Sequence, residues 1–332
     1  MIWALALCAA GLLVLVLGAE LVTRGGGKLA GQLGVPPILI GLTVVAIGTS
    51  TPELAVGIDA AVRGAGALAV GNIAGTNTVN MLLILGLSAA IRPLALGMQT
   101  IRMDLPVMIV TALAMLVMAS DGWLSRQDGG VLLLGGVAYT AAVIVSARRE
   151  KRAVKVQFAK EYRVSAQRGR DQEAKVRSAA ALLAGIAIIV IAADWLVDGA
   201  VELARIWGVS DAFIGLTIIA IGTSAPELAT TVLSTFRNQR DIAIGNLLGS
   251  SVYNILIILG VTALAPRGGI PVTPELMRID IPVMALVAVA CAPVFLSGRQ
   301  VSRLEGGAFV GAYGLYLGYL LEALTLTLQF VE

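Results

Sequence analysis

The chain has 332 residues, of which 58% are hydrophobic and only 14% charged, with a formal net charge of +3 and a mean hydropathy of +0.89. A soluble domain of this length needs far more polar surface, so an ordinary globular enzyme or binding module is excluded. With no histidine in the chain, a Ser-His-Asp triad, a histidine zinc site and an imidazole proton relay are excluded as well.

Ten apolar segments follow one another, roughly 2–22, 37–62, 68–90, 104–120, 129–147, 179–198, 212–236, 242–264, 280–297 and 304–328. Each is close to the ~20 residues that a helix needs to cross a bilayer. The first opens on Met1-Ile2-Trp3-Ala4 without a positive leader and reads as a retained helix. Cys8 and Cys291 lie inside apolar segments with no partner motif, as small buried residues rather than a disulfide or a metal site. Glu20 and Arg24 are spaced as a helical ion pair. Asp194, Asp198 and Glu202 recur four residues apart near the outer end of the sixth segment, as a solvated helix end or as an attractor of cations.

Between the fifth and sixth segments the stretch Arg148 to Arg177 holds eleven of the twenty-four Lys and Arg residues. It divides the chain into a first five-helix repeat (1–147), a basic loop (148–177) and a second five-helix repeat (178–332). Placing the loop in the cytoplasm puts nineteen basic residues on inner loops and five, Arg63, Arg126, Arg205, Arg267 and Arg278, on outer ones. That bias obeys the positive-inside rule and leaves both termini outside, in a bacterial inner membrane. The pI near 9.0 then reflects topology and anionic lipid, not nucleic-acid binding. The loop has no EF-hand pattern and reads as a linker.

The two halves repeat each other. The segment from Gly41 to Ala55, with Gly-Thr-Ser-Thr-Pro-Glu at 48–53, matches Gly215 to Ala229, with Gly-Thr-Ser-Ala-Pro-Glu at 222–227, at an offset of 174. The same offset carries Gly71-Asn72 onto Gly245-Asn246, Asn80 onto Asn254 and Arg63 onto Arg237. Arg102 with Asp104 echoes Arg278 with Asp280, and Ser125 with Asp128 echoes Ser302 with Glu305. Five helices per half is an odd number, so the second copy enters the membrane in the opposite direction. The predicted fold is an all-α integral membrane protein of ten helices in two inverted five-helix repeats, with a site at the repeat interface.

Glu53 and Glu227 fall near the middle of the second and seventh segments. A carboxylate at that depth costs about 2.5–3.5 kcal/mol or more and needs a partner. No lysine or arginine lies near either, which leaves a cation, or a proton on a structural acid, as the partner. Pro52 and Pro226 remove an amide donor and crowd the carbonyls of Gly48 and Gly222, so each helix is expected to break at Gly-Thr-Ser. Unwound backbone at that depth must be buried or line a cavity. The hydroxyls of Thr49, Ser50, Thr223 and Ser224 add oxygens, as do Thr76 with Asn80 and Ser250 with Asn254, which share helix faces. An oxygen-rich set of this kind suits calcium, whereas zinc and copper prefer thiolate or imidazole.

With these paired motifs the chain resembles the cation/calcium exchanger superfamily, specifically the bacterial sodium/calcium antiporters, over nearly its whole length. The resemblance implies that the second, third, seventh and eighth helices surround the cation positions and that the first and sixth slide. It places ligands on the Ala46 carbonyl, Thr49, Ser50, Glu53, Thr76 and Asn80, and on the Ala220 carbonyl, Thr223, Ser224, Glu227, Ser250 and Asn254. Some relatives carry aspartate where this chain has Asn254, so two carboxylates rather than three face the ions, matching one calcium by charge. The expected activity is antiport of calcium against sodium, normally extruding calcium, with no enzymatic step, no cofactor and no obligatory protein partner. A proton-coupled exchanger is the nearest alternative; a channel or an intramembrane enzyme lacks a pore-loop filter or a histidine.

Overall fold

The computed structural model describes residues 1–149, 172–207 and 220–329. Residues 212–219 of the seventh predicted segment, and 150–171 of the basic stretch, lie outside the described residues. The helices are α1 (Ile2–Leu33), α2 (Pro37–Thr49), α3 (Thr51–Val62), α4 (Gly66–Ile91), α5 (Thr100–Asp121), α6 (Arg126–Arg149), α7 (Gln172–Ile206), α8 (Ala220–Thr223), α9 (Ala225–Phe236), α10 (Arg240–Leu264), α11 (Leu276–Leu296) and α12 (Arg303–Gln329). Among the described residues seven helices are long and apolar enough to cross a membrane. The pair α2 and α3, bent by 42° at Ser50, makes an eighth span.

Two expectations about length are corrected. The first segment does not stop near residue 22 but continues to Leu33, and the sixth begins at Gln172, inside the stretch assigned to the loop. At 32 and 35 residues, α1 and α7 are about 48 and 52 Å long, well beyond a ~30 Å hydrocarbon core, so they tilt or project from it. No proline interrupts Thr23 to Leu33, and its glycines, weak helix formers by themselves, are held in the helix by close packing such as that of Gly25 on Leu182 and Ser178.

α1 and α7 pack antiparallel along a seam of small residues. Ala4, Gly11, Gly18 and Gly25 recur every seven residues on α1, as do Ser178, Gly185, Ala192 and Gly199 on α7. Gly11 lies against the backbone of Ala192 and Leu196, and Gly185 against that of Gly18 and Val22. A Cβ built on Gly11 would sit 2.7 Å from the Leu196 amide nitrogen, so only glycine permits this approach.

The core lies elsewhere. In the apolar windows of α4 and α10, 78% and 83% of residues are buried, against 28% in α1 and α7. α4 and α10 are therefore the central pair and α1 and α7 an outer pair. Gly41 on α2 meets Gly245 on α10 backbone to backbone. Short antiparallel bridges tie the ends: β1 (Leu94–Ala95) to β4 (Gln300–Val301), and β2 (Trp123–Leu124) to β3 (Ile270–Pro271).

The echoes in sequence become matching local structures. Ser125 caps α6, its hydroxyl donating to Asp128 at 2.6 Å and its amide at 2.9 Å. Ser302 caps α12 against Glu305 at 2.7 and 2.8 Å in the same way. Tyr139 donates to Asp104 at 3.1 Å, and Tyr316 to Asp280. Cys8 and Cys291 are free thiols, half-buried and buried.

Candidate functional site

The proline-driven breaks are where the motif puts them. Ser50 leaves helical geometry (φ −87°, ψ 14°) between α2 and α3, and Ser224 does the same (φ −88°, ψ 7°) between α8 and α9. Pro52 and Pro226 follow at the second position of the next helix, where a missing amide costs nothing. Glu53 and Glu227 sit in those first turns, and both are fully buried. A carboxylate in the first turn of a helix is favoured by the N-terminal dipole.

α4 and α10 each widen into a π-helical turn, Val79–Leu85 and Asn254–Leu259. Asn80 stands in the first of these and Asn254 opens the second. Such turns add a residue per turn and tend to mark functional positions. α3 packs on the turn in α10, and α9 on the turn in α4, so each glutamate's helix lies against the other half's asparagine turn.

Hydrogen bonds cross between the halves. Ser50 donates to Glu227 Oε1 at 3.0 Å, and Ser250 to the same oxygen at 3.4 Å. Thr49 donates to Asn246 Oδ1 at 3.2 Å. Asn254 donates its amide to Asn77 Oδ1 at 3.3 Å. Thr49, Ser50, Glu53, Thr76, Asn80, Ser224, Glu227, Ser250 and Asn254 are thus all buried around the break points. Thr223 is half-buried.

Seven of the oxygens on these residues are buried without a hydrogen-bond partner among the described residues: both of Glu53, Oε2 of Glu227, and one each on Thr76, Asn80, Ser224 and Asn254. Unmade bonds of this kind are costly and uncommon in folded proteins. Here they concentrate on acceptors, three of them carboxylate oxygens of Glu53 and Glu227, whose two helix breaks are joined by the Ser50–Glu227 bond. Such a group of acceptors, with no Lys or Arg side chain paired to it among the described residues, has the composition that a site for an external cation needs. The set is hard oxygen throughout, which fits an alkali or alkaline-earth ion.

The two expected backbone ligands differ in their engagement. The Ala46 carbonyl accepts from the Ser50 amide at 3.1 Å and the Thr49 hydroxyl at 3.3 Å. In the second half the Ser224 amide donates at 3.1 Å to Ile221 instead, one residue beyond Ala220.

Sequence reasoning missed a neighbouring layer. Asn246 was part of the quoted motif but not of the ligand set; it joins Thr49 to Thr231, to which it donates at 3.2 Å. Thr230, Thr231, Ser234 and Thr235 form a fully buried hydroxyl face on α9, and Ser234 meets Thr23 of α1 at 3.0 Å. The signal was present as hydroxyls spaced three and four apart in an apolar segment. Asn77, which also donates to the Ser251 carbonyl at 3.3 Å, was likewise passed over.

The chain matches the family model described as sodium/calcium exchanger protein over residues 3–145 and 177–322. It is 38% identical over 317 residues to the inner membrane protein YrbG of Escherichia coli K12, covering 93% of this chain and 95% of that one. It is 30% identical over 335 residues to the sodium/calcium exchanger MaX1 of Methanosarcina acetivorans, covering 92% and 95%. Its fold is similar to that of the sodium-calcium exchanger NCX_Mj soaked with zero Na+ and Ca2+, with a TM-score of 0.81 and 26% identity over 96% of this chain and 99% of that one. The chain belongs to the sodium/calcium exchanger protein family.

Proposed function

We propose that this family member is a secondary antiporter that exchanges calcium for sodium by alternating access, extruding calcium on inward sodium movement. Glu53 and Glu227 are its charge centre. The observation that carries the reading is the cluster of seven unpartnered acceptor oxygens on the break points and asparagine turns. Two carboxylates balance one calcium or two sodium ions, so either cargo neutralises the same site. The empty site resists crossing, because two uncompensated carboxylates would face a dry barrier. Competition for one site, with a penalty on the empty form, makes exchange obligatory.

The proposed architecture is ten spans in two inverted repeats. The eight spans above are joined by α8 with α9, and by α12. The contacts of α1 with α7 support the inversion. Ala4 meets Gly199, and the 174-residue offset turns that pair into Ser178 against Gly25, which also meet. Antiparallel mates related in this way fit repeats of opposite direction. The basic stretch after α6 is assigned to the cytoplasm and both termini to the outside.

The test is calcium-45 uptake into sodium-loaded proteoliposomes diluted into sodium-free buffer. Uptake that collapses when the sodium gradient is removed, and in Glu53→Gln and Glu227→Gln, is the expected result. Uptake that ignores sodium but follows an imposed pH gradient would make proton the counter-ion. No calcium flux under either gradient would overturn the cargo.

A further inference from the structure

The two ends of the molecule are not closed alike. On α1, Glu20 accepts a bidentate ion pair from Arg237, just beyond α9, with Nε at 2.8 Å and Nη2 at 2.6 Å, and a further contact from Arg24. The Glu20 side chain is only 19% exposed. The pair ties α1 to α9 at the end that carries the basic stretch, one turn from the Thr23–Ser234 bond.

The repeat supplies a second set of the same charges. The 174-residue offset carries Glu20 onto Asp194 of α7 and Arg237 onto Arg63 beyond α3. These mates are not joined. Asp194 is exposed and has no ion-pair partner among the described residues, while Arg63 binds Asp59 of its own helix at 2.8 Å. The packing agrees. α1 lies along α9, but α7 makes no comparable contact with α3. Val56 on α3 is 39% exposed where its mate Thr230 on α9 is fully buried.

We propose that Glu20–Arg237 and Asp194–Arg63 are alternating gate pairs, the first closing the cytoplasmic end and the second the outer end, so that one must open before the other forms. This inference rests on the inverted-repeat exchanger reading and assigns to it four residues outside the cation site. The geometry described has the cytoplasmic pair made and the outer pair apart. The offset carries Arg24 onto Asp198, a change of sign: Arg24 contacts Glu20 at one end, whereas Asp198 sets a second carboxylate one turn from Asp194 at the other. Glu20–Arg237 and Asp194–Arg63 are the pairs whose signs the repeat keeps.

The test uses a Cys8→Ser, Cys291→Ser background carrying either Glu20→Cys with Arg237→Cys or Arg63→Cys with Asp194→Cys, reconstituted and treated with a bifunctional methanethiosulfonate reagent. Bridging is read by mass and flux by calcium-45. Both pairs are expected to bridge, and each bridge to stop exchange until it is reduced. Failure of the outer pair to bridge, or full exchange with the cytoplasmic pair bridged, would overturn the proposal. Because bridging is read without flux, a protein that moves no calcium fails the exchanger reading while the bridging pattern still decides the gates. A second measurement avoids the double variants. Glu20→Gln is expected to speed cytoplasmic thiol labelling of Ser234→Cys about fivefold, as loss of a partly buried ion pair allows. An unchanged labelling rate would count against the gate.

Discussion

Glu53 and Glu227 are mates in the repeat, yet their surroundings predict opposite responses to the same change. Both oxygens of Glu53 are buried and unpartnered, whereas Glu227 Oε1 accepts from Ser50 and Ser250. In ion-free protein at alkaline pH, a mid-membrane carboxylate costs about 2.5–3.5 kcal/mol. A buried amide with unmade bonds costs about 1–3 kcal/mol. Glu53→Gln therefore stabilises the ion-free fold by about 1 kcal/mol, and it also removes repulsion from Glu227. Glu227→Gln gains the same relief but weakens two hydrogen bonds from charge-assisted to neutral, about 1 kcal/mol each, and ends level or below the wild type. Thermal unfolding of detergent-solubilised protein in chelator should then rank Glu53→Gln first, wild type next and Glu227→Gln last or equal. At a calcium concentration 100 times its Kd the wild type gains about 2.7 kcal/mol, and neither variant matches it. A Glu53→Gln protein less stable than wild type in chelator would refute the reasoning, as would one that keeps the full calcium-dependent gain.

Three further outcomes follow from named contacts. Asn254→Asp adds a third carboxylate to the site; calcium should bind about 5–30 times more tightly by calorimetry, as 1–2 kcal/mol of added attraction allows, and turnover should slow at release. Gly11→Ala places a Cβ against the backbone of Leu196, which cannot move aside; a loss of about 1–3 kcal/mol should show as a lowered melting temperature and poorer recovery from membranes. Tyr139→Phe leaves buried Asp104 without its 3.1 Å donor and should cost about 1–3 kcal/mol in thermal stability while sodium-dependent flux per folded molecule stays near wild type.

Much of the site was legible because its chemistry is at odds with its setting. Glu53, Glu227 and the prolines beside them stand in apolar segments, where each demands an explanation, and the 174-residue repeat doubles the demand. The breaks at Ser50 and Ser224 follow from proline sterics alone. Other features need a partner that no local pattern names. The seven-residue recurrence of Ala4, Gly11, Gly18 and Gly25 is plain in the chain, but small residues do not say which helix they admit. Glu20 and Arg24 satisfy the spacing of a simple helical pair, and Arg237, 217 residues away, enters only when α9 is laid against α1. The helix ends were misplaced for a related reason. Hydropathy falls after residue 22 of α1 and before residue 179 of α7, while their backbone hydrogen bonding continues for another turn or more.

The repeat is closest around the glutamates and falls away just beyond them, and that difference has a physical sense. Where α9 has Thr230, Thr231, Ser234 and Thr235, α3 has Val56, Gly57, Ala60 and Ala61. In the closed arrangement the α9 hydroxyls must be satisfied without bulk water, or each would carry a desolvation cost. Most of them find partners in the layer itself: Thr235 donates to the Thr231 carbonyl at 2.8 Å, Asn246 to the Thr231 hydroxyl, and Ser234 shares a hydrogen bond with Thr23. If α1 moves away, as the proposed alternating access requires, those bonds exchange for water with little net change, because water offers equivalent partners. A layer built this way can be shut dry and opened wet at similar free energy, which an apolar plug cannot. The α3 side, lined by buried Gly57, Ala60 and Ala61 with Val56 exposed beside them, has no hydroxyls to make such an exchange. On the proposed reading the duplicated halves share one ion site but leave it by chemically different exits, the hydroxyl-lined one being the exit that the Glu20–Arg237 pair would hold shut.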